Sequence, residues 1–190
     1  MCGAVMPRDR KIEIDDILDA AVRVVLRAGA AGLSIDAVAR EAGVSKSRVV
    51  YDHKSKSGLL EALVERKIRA EQERTQAAVT ASKDTPHPEL YGRIATAAAG
   101  PDDEDKAVTL AISAAMSSED KVRDLMREWF AEDLQAVKAT PRPQAALLAY
   151  LALSGFLCFE LFDFHRWDEA ERTVILEGIR TMFVSFPEPA

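Results

Sequence analysis

Apolar residues recur along this chain every three or four positions, and glycine or proline stops the runs. Ile14, Ile17, Leu18, Ala21, Val22 and Val25 keep helical spacing up to Gly29, which is placed as a stop. Ser34 then reads as the N-cap of a short helix ending near Ala42. A second short helix follows Gly43-Val44-Ser45, and a long one runs from about Ser55 to Thr80. Three breaks follow, at Asp84-Thr85-Pro86-His87-Pro88, Gly100-Pro101-Asp102-Asp103 and Thr140-Pro141-Arg142-Pro143. Around them lie helical segments near 89–99, 103–116, 119–138, 144–164 and 168–185. No stretch alternates with period two for long, so the chain reads as all-α, with nine helices.

With 190 residues, 48% apolar and 29% charged, the chain has enough apolar surface for a packed core. Its longest uncharged apolar run, Ala145 to Phe159, falls short of the roughly 20 residues of a membrane span, so no membrane partner is expected. Met1–Pro7 lacks the apolar stretch of an export signal. Cys2 and Cys158 stand in unlike segments and suggest neither a disulfide framework nor a metal site. A cytoplasmic protein without metal or cofactor is expected.

The net charge of -6 is unevenly spread. Residues 1–57 hold 10 Lys+Arg against 8 acids, whereas the remainder holds 15 against 23. Arg40, Lys46, Arg48, Lys54 and Lys56 crowd one short stretch, against Glu41 and Asp52. A basic head on an acidic body is the charge pattern of a DNA-binding module joined to a part that does not bind DNA. A solvated face produces the same imbalance, so charge alone does not decide.

Segment 35–53, IDAVAREAGVSKSRVVYDH, adds a spacing that does. Ala39 is small where two helices would cross, and Gly43, four residues later, suits a turn with positive φ. Val38, Val44 and Val49 supply the apolar contacts of a helix-turn-helix, and Ser45 caps the second helix. Lys46, Ser47, Arg48, Tyr51 and Asp52 are then left on the exposed part of a short rod suited to a major groove. An ordinary helical corner carrying a glycine is the alternative.

These residues resemble the TetR-type (TetR/AcrR) transcriptional regulators. The likeness covers about residues 11–68, through Ile17-Leu18-Asp19-Ala20-Ala21, Ala28-Gly29, Ser34, Val38-Ala39, Ala42-Gly43-Val44-Ser45-Lys46, Tyr51, Ser55-Lys56 and Leu59-Leu60. The resemblance implies an N-terminal three-helix DNA-binding head, 8–57 with its motif about 34–53, joined by a long helix to a ligand-binding and dimerisation body, 58–190. It also implies that Ser45, Lys46, Tyr51, His53 and Lys56 touch the DNA backbone, and that Ser47 and Arg48 approach base edges. Ser34 and Lys54 complete the DNA-contact set. Lysine meets phosphate as a point charge, whereas arginine can bind guanine through two hydrogen bonds.

Two positions depart from the family pattern. Tyr51-Asp52-His53 passes straight to Lys54 where the family usually has an aromatic, as though one residue were deleted. Ala30 stands where an aromatic usually follows Gly29. Asp52 would be repelled by phosphate; it either accepts from a cytosine amino group or pairs with Arg48 one turn earlier.

The body is read from its last helices. Segment 144–164 carries two apolar stripes, Leu147, Leu151, Ser154, Cys158 and Leu161 beside Leu148, Ala152, Gly155, Phe159 and Phe162, so it needs cover on two sides. A homodimer seam of Ser154, Gly155, Cys158 and Phe162 with Ile175, Ile179, Met182 and Phe186 is expected, a fully internal helix being the alternative. Met116, Met126, Trp129, Phe130, Phe156 and Phe159 are adaptable enough to line an effector pocket, or simply to fill a core. An enzyme finds little support, since His53, His87 and His165 sit in separate segments and no nucleophile or phosphate-loop motif occurs. The expectation is a dimeric repressor of a palindromic operator gated by a small molecule. A constitutive DNA binder stands as the alternative, with a helical enzyme more remote.

Overall fold

The computed structural model describes residues 14–187; the expected start of the head at residue 8 and the position of Cys2 lie outside the described residues. Among the described residues there are nine helices and no strand. They are α1 (Ile14–Gly32), α2 (Ile35–Ala42), α3 (Lys46–His53), α4 (Lys56–Ala81), α5 (Pro88–Ala99), α6 (Asp103–Ala115), α7 (Asp120–Lys138), α8 (Pro143–Leu161) and α9 (Glu169–Ser185).

The helix ends follow local chemistry. Gly29 breaks α1 with φ 64, and Gly43 ends α2 in the left-handed region at φ 68, ψ 29, where a Cβ would be strained. Ser34, Ser45 and Ser55 cap α2, α3 and α4, each hydroxyl oxygen accepting a backbone N–H. Pro88 and Pro143 open α5 and α8, where a missing N–H costs nothing. Capping boxes start α6 at Asp102 and Asp105, and α9 at Asp168 and Glu171. Glu119 holds the N-cap position of α7, but its side chain accepts no such bond.

Two apolar cores result. The first takes Ile17, Val24, Val38 and Val49 from the head, Leu59 and Val64 from α4, and Val108, Ile112 and Val122 from α6 and α7. The head core therefore runs on into the body. The second gathers α5, α8 and α9 around Leu90, Ala149, Leu153, Phe156, Ile179 and Phe183. α4 contributes to the first core alone, but its far half lies along α5, a helix of the second. A Cβ added at Gly92 of α5 would stand 2.5 Å from the Val79 backbone nitrogen of α4, so only glycine permits this crossing. Across from it, Lys67 and Arg74 of α4 pair with Asp105 of α6. Burial opposes ionisation of Asp105, yet hydrogen bonds from Arg74 and Lys67 hold its carboxyl below the usual range.

One buried charge ties the second core together. Glu160 of α8, 8% exposed, pairs with Arg172 of α9. The same guanidinium donates to the carbonyls of Ala97 (2.9 Å) and Ala98 (3.2 Å) at the end of α5, and lies over the Phe156 ring. Three helices thus meet on one side chain.

The joint between α3 and α4 is unusually tight. Lys54 has φ 61 and ψ -48, and the Ser55 N–H donates to the His53 carbonyl at 2.6 Å. This is a γ-turn of the rare, strained hand. A Cβ on Gly58 would run into that His53 carbonyl. The passage from α3 to α4 is thus closed by a strained lysine and an obligatory glycine.

Arg172→Met should cost about 3–5 kcal/mol in urea unfolding by stranding Glu160, and Glu160→Leu combined with Arg172→Met should recover most of it. Lys54→Gly should stabilise the chain by about 1 kcal/mol, strain relief exceeding the extra entropy glycine loses on folding. Gly58→Ala should destabilise it by roughly 2 kcal/mol or more through a backbone clash.

Candidate functional site

α3 is held by its buried side. Val49 is fully buried and Val44 partly so, while Arg23 and Arg27 of α1 both pair with Glu41 of α2 at 2.9 Å. Hydrogen bonds from Arg23 and Arg27 keep the Glu41 carboxyl below its ordinary range. The opposite side is open. Ser45, Lys46 and Ser47 are exposed, and Tyr51 is 81% exposed. The Ser45 oxygen is engaged in capping α3, so what it offers outward is its hydroxyl proton. With the hydroxyls of Ser47 and Tyr51 and the ammonium of Lys46, this makes a donor-rich, cationic end. Lys46 Nζ rests 3.0 Å from Asp36 of α2, an exposed pair that contributes little and is easily exchanged for another anion. Lys54, Ser55 and Lys56 continue the exposed surface at the start of α4.

Two expected contacts, His53 and Ser34, sit differently, and Asp52 takes the second of its two expected roles, the pair with Arg48. His53 is 7% exposed, and burial pushes its pKa down, against the pull of Asp52, so it is a neutral core residue and not an outward cation. Asp52, expected on the open side, has its side chain 5% exposed and pairs with Arg48 Nε at 2.9 Å. Arg48 is thereby braced along α3 by the carboxylate one turn on. Ser34 is half-buried, its oxygen engaged as the α2 cap.

In the body, a cavity of about 120 Å³ opens between α5, α7, α8 and α9. Leu90, Val137, Ala149, Leu153 and Phe183 give it an apolar wall, and Pro86, Pro88 and Pro141 stand around it. None of the six residues expected to line a pocket lies in it. Met116 and Met126 pack on the first core, and Phe156 is buried in the second. Trp129 and Phe130 face each other at 5.0 Å on α7, Phe130 exposed, and Phe159 is exposed on α8. Sequence reasoning misses the cavity because a buried methionine and a pocket-lining one carry the same signal. The prolines of two chain breaks were the signal that could have found it.

Polar groups also stand in its wall, Arg93 and Tyr150 among them. Arg93 reaches Glu89 at 2.9 Å and Asp133 at 2.6 Å, beneath the Tyr150 ring. Burial, then the nearby Asp133 carboxylate, pushes the Tyr150 hydroxyl pKa far up, so it stays protonated.

The residues expected in a dimer seam are divided between the core and the surface. Ile179 is buried in the chain's own second core, and Ile175, Met182 and Phe186 pack against it. Ser154, Cys158 and Phe162 are half-buried. The exposed apolar residues here are Leu148, Leu151 and Phe159 of α8, with the expected Gly155 among them, and Val174 and Val184 of α9. α8 is also long and apolar enough by composition to cross a membrane, but a third of that stretch is buried in the chain. Among the described residues, no group of three His, Cys, Asp or Glu converges on a point.

Known proteins share this arrangement. Residues 17–63 match the family of bacterial regulatory proteins of tetR type, and residues 73–183 match the tetracyclin repressor-like C-terminal domain. A search of curated proteins finds no match. Among solved structures, the multidrug binding protein EbrR complexed with imidazole is 25% identical, with TM-score 0.71 over 97% of this chain and 98% of its own. A TetR-family member from Streptomyces coelicolor A3 is 26% identical, with TM-score 0.69 over 87% and 96%. A Saccharomonospora viridis protein in complex with choline shares the fold at 16% identity, with TM-score 0.68 over 90% and 95%. The chain belongs to the TetR family of transcriptional regulators.

Proposed function

We propose that this protein is a ligand-responsive repressor that binds a palindromic operator as a homodimer and catalyses no reaction. The observation that carries the reading is the open, cationic end of α3, held by a buried helix-turn-helix and continued by Lys54 and Lys56 at the start of α4. Lys46, Lys54, Lys56, Ser45 and Tyr51 serve the phosphates. Ser47 and Arg48 approach base edges, with Asp52 bracing the guanidinium. His53 contributes by packing, as its burial supports. The DNA-binding part is taken as residues 8–57 and the regulatory part as 58–190, with a core shared across that boundary.

One α3 is too short to specify a site, so two copies are required, with half-sites about 34–36 Å apart or a multiple of that. The open face of α8 and α9 supports the pairing. Leu151 is 55% and Val174 71% exposed, an apolar surface that a second copy would cover. Gly155 and Gly178 have open space above them, which favours close approach.

The cavity supports effector control. Leu90 and Arg93 of α5 line it, and Gly92 between them in sequence carries the close crossing onto Val79 of α4. A ligand that displaces α5 therefore displaces the helix that begins at Lys56. Relatives in this fold were solved with imidazole and with choline, which supports small-molecule occupancy of such bodies.

The test begins with DNA enriched from a random pool. Lys46→Ala and Lys56→Ala should each weaken all sequences alike and lower the salt slope by about one. Arg48→Ala should relax preference at one base position by about 1–3 kcal/mol. Unaltered affinity in all three removes the assignment. Gly155→Trp should give a folded monomer by light scattering, with operator binding lost; a wild-type monomer at micromolar concentration refutes the dimer. A regulating ligand should lower operator affinity, and operator should lower ligand affinity by the same factor, typically about 1–3 kcal/mol of coupling. Saturating cavity ligand without effect on operator affinity leaves a constitutive binder.

A further inference from the structure

The cavity beside α5 carries more detail than its position. Its volume, about 120 Å³, is close to the roughly 150 Å³ at which an apolar protein cavity holds one benzene ring. Proline fixes φ, so Pro86, Pro88 and Pro141 make its surrounds stiff and limit expansion.

Charge in the wall is already paired. Arg93 is held by Glu89 and Asp133. Arg142 donates to the carbonyls of Val184 (3.0 Å) and Phe186 (2.5 Å), with its guanidinium 5.0 Å over the Phe183 ring. An ion entering would lose its hydration and find no unpaired counter-charge in return. The apolar groups favour the opposite kind of guest, with Leu90, Ala149, Leu153 and Phe183 lining the space.

One polar group differs from the rest. His87 occupies the N-cap position of α5 but makes no capping hydrogen bond, and its ring meets Phe183 edge-on at 4.9 Å. Imidazole offers one donor and one acceptor when neutral, so it can meet a single hydroxyl or carbonyl on an otherwise apolar ring.

We propose that this cavity takes an uncharged molecule of single-ring size, carrying at most one hydrogen-bonding substituent directed at His87. This rests on the reading of the cavity as the effector site, but it is tested by binding alone. The probe is phenol, titrated calorimetrically into the full chain, with benzoate, 1-naphthol and toluene alongside.

Phenol should bind saturably, and about tenfold or more tighter than benzoate or 1-naphthol. Ala146→Phe, which fills the space, should weaken phenol by about tenfold or more while the helical circular dichroism stays unchanged. Leu153→Phe serves if that variant does not fold. His87→Ala should weaken phenol and leave toluene unchanged. Absence of phenol binding, benzoate or 1-naphthol binding as tightly, or phenol binding untouched by both filling variants overturns the proposal. Phenol that binds as described without changing operator affinity upholds the ligand class and removes the regulatory role. A charged or multi-ring compound that displaces operator from the wild type but not from Ala146→Phe overturns the class and keeps the role.

Discussion

α4 is anchored at both ends, in the first core by its opening turns and against α5 by its far half, and the rest of the molecule is arranged around that fact. Its first turns bury Leu59, Leu60, Leu63 and Val64 with the head, and its later turns lie against α5. Neither attachment is soft. At one end, the strained Lys54 turn and Gly58 hold α4 against the His53 carbonyl. At the other, Gly92 lets the α5 and α4 backbones touch at Val79. A helix fixed at both ends transmits a shift of one attachment to the other, because packed interiors deform little.

Polar groups decide where this frame is rigid. Arg172 satisfies Glu160 and two end carbonyls of α5 with one guanidinium, so α5, α8 and α9 are locked near Phe156. Arg93 and Arg142 play comparable parts around the cavity, each turned inward to partners of the chain. The network leaves the cavity apolar and electrically quiet. Outside, Lys46 and Asp36 remain an exposed pair whose partners can be exchanged.

Much of the head was legible beforehand. Ala39, Gly43, Val49 and Ser45 each answer a local demand, for close crossing, positive φ, burial or capping, and local demands are written residue by residue. The direct passage from His53 to Lys54 and Ser55 was legible too, but its consequence was not. Whether the chain would join α3 to α4 by a changed helix angle or by a strained turn depends on what surrounds the joint, and Gly58 shows its purpose only once the His53 carbonyl is placed. The burial of His53 and Asp52 follows from their places four and three residues after Val49, on the buried side of α3; the resemblance, which implied an outward His53, masked it.

By itself, the sequence determined the helices, most of their caps and breaks, and the helix-turn-helix, all set by interactions within a few residues of one another, while it offered the Arg48–Asp52 pair as one of two alternatives. Only the tertiary structure decided which side of α8 turns inward and where the cavity lies. α8 is apolar almost all round, so no polar stripe marks its phase, and the choice of Ala145, Ala149, Leu153 and Phe156 as its buried side fell to packing against α5 and α9. The cavity is likewise a gap between four helices and two proline-rich breaks far apart in the chain. Its size depends on how their side chains fail to fill the space between them, which no single segment encodes.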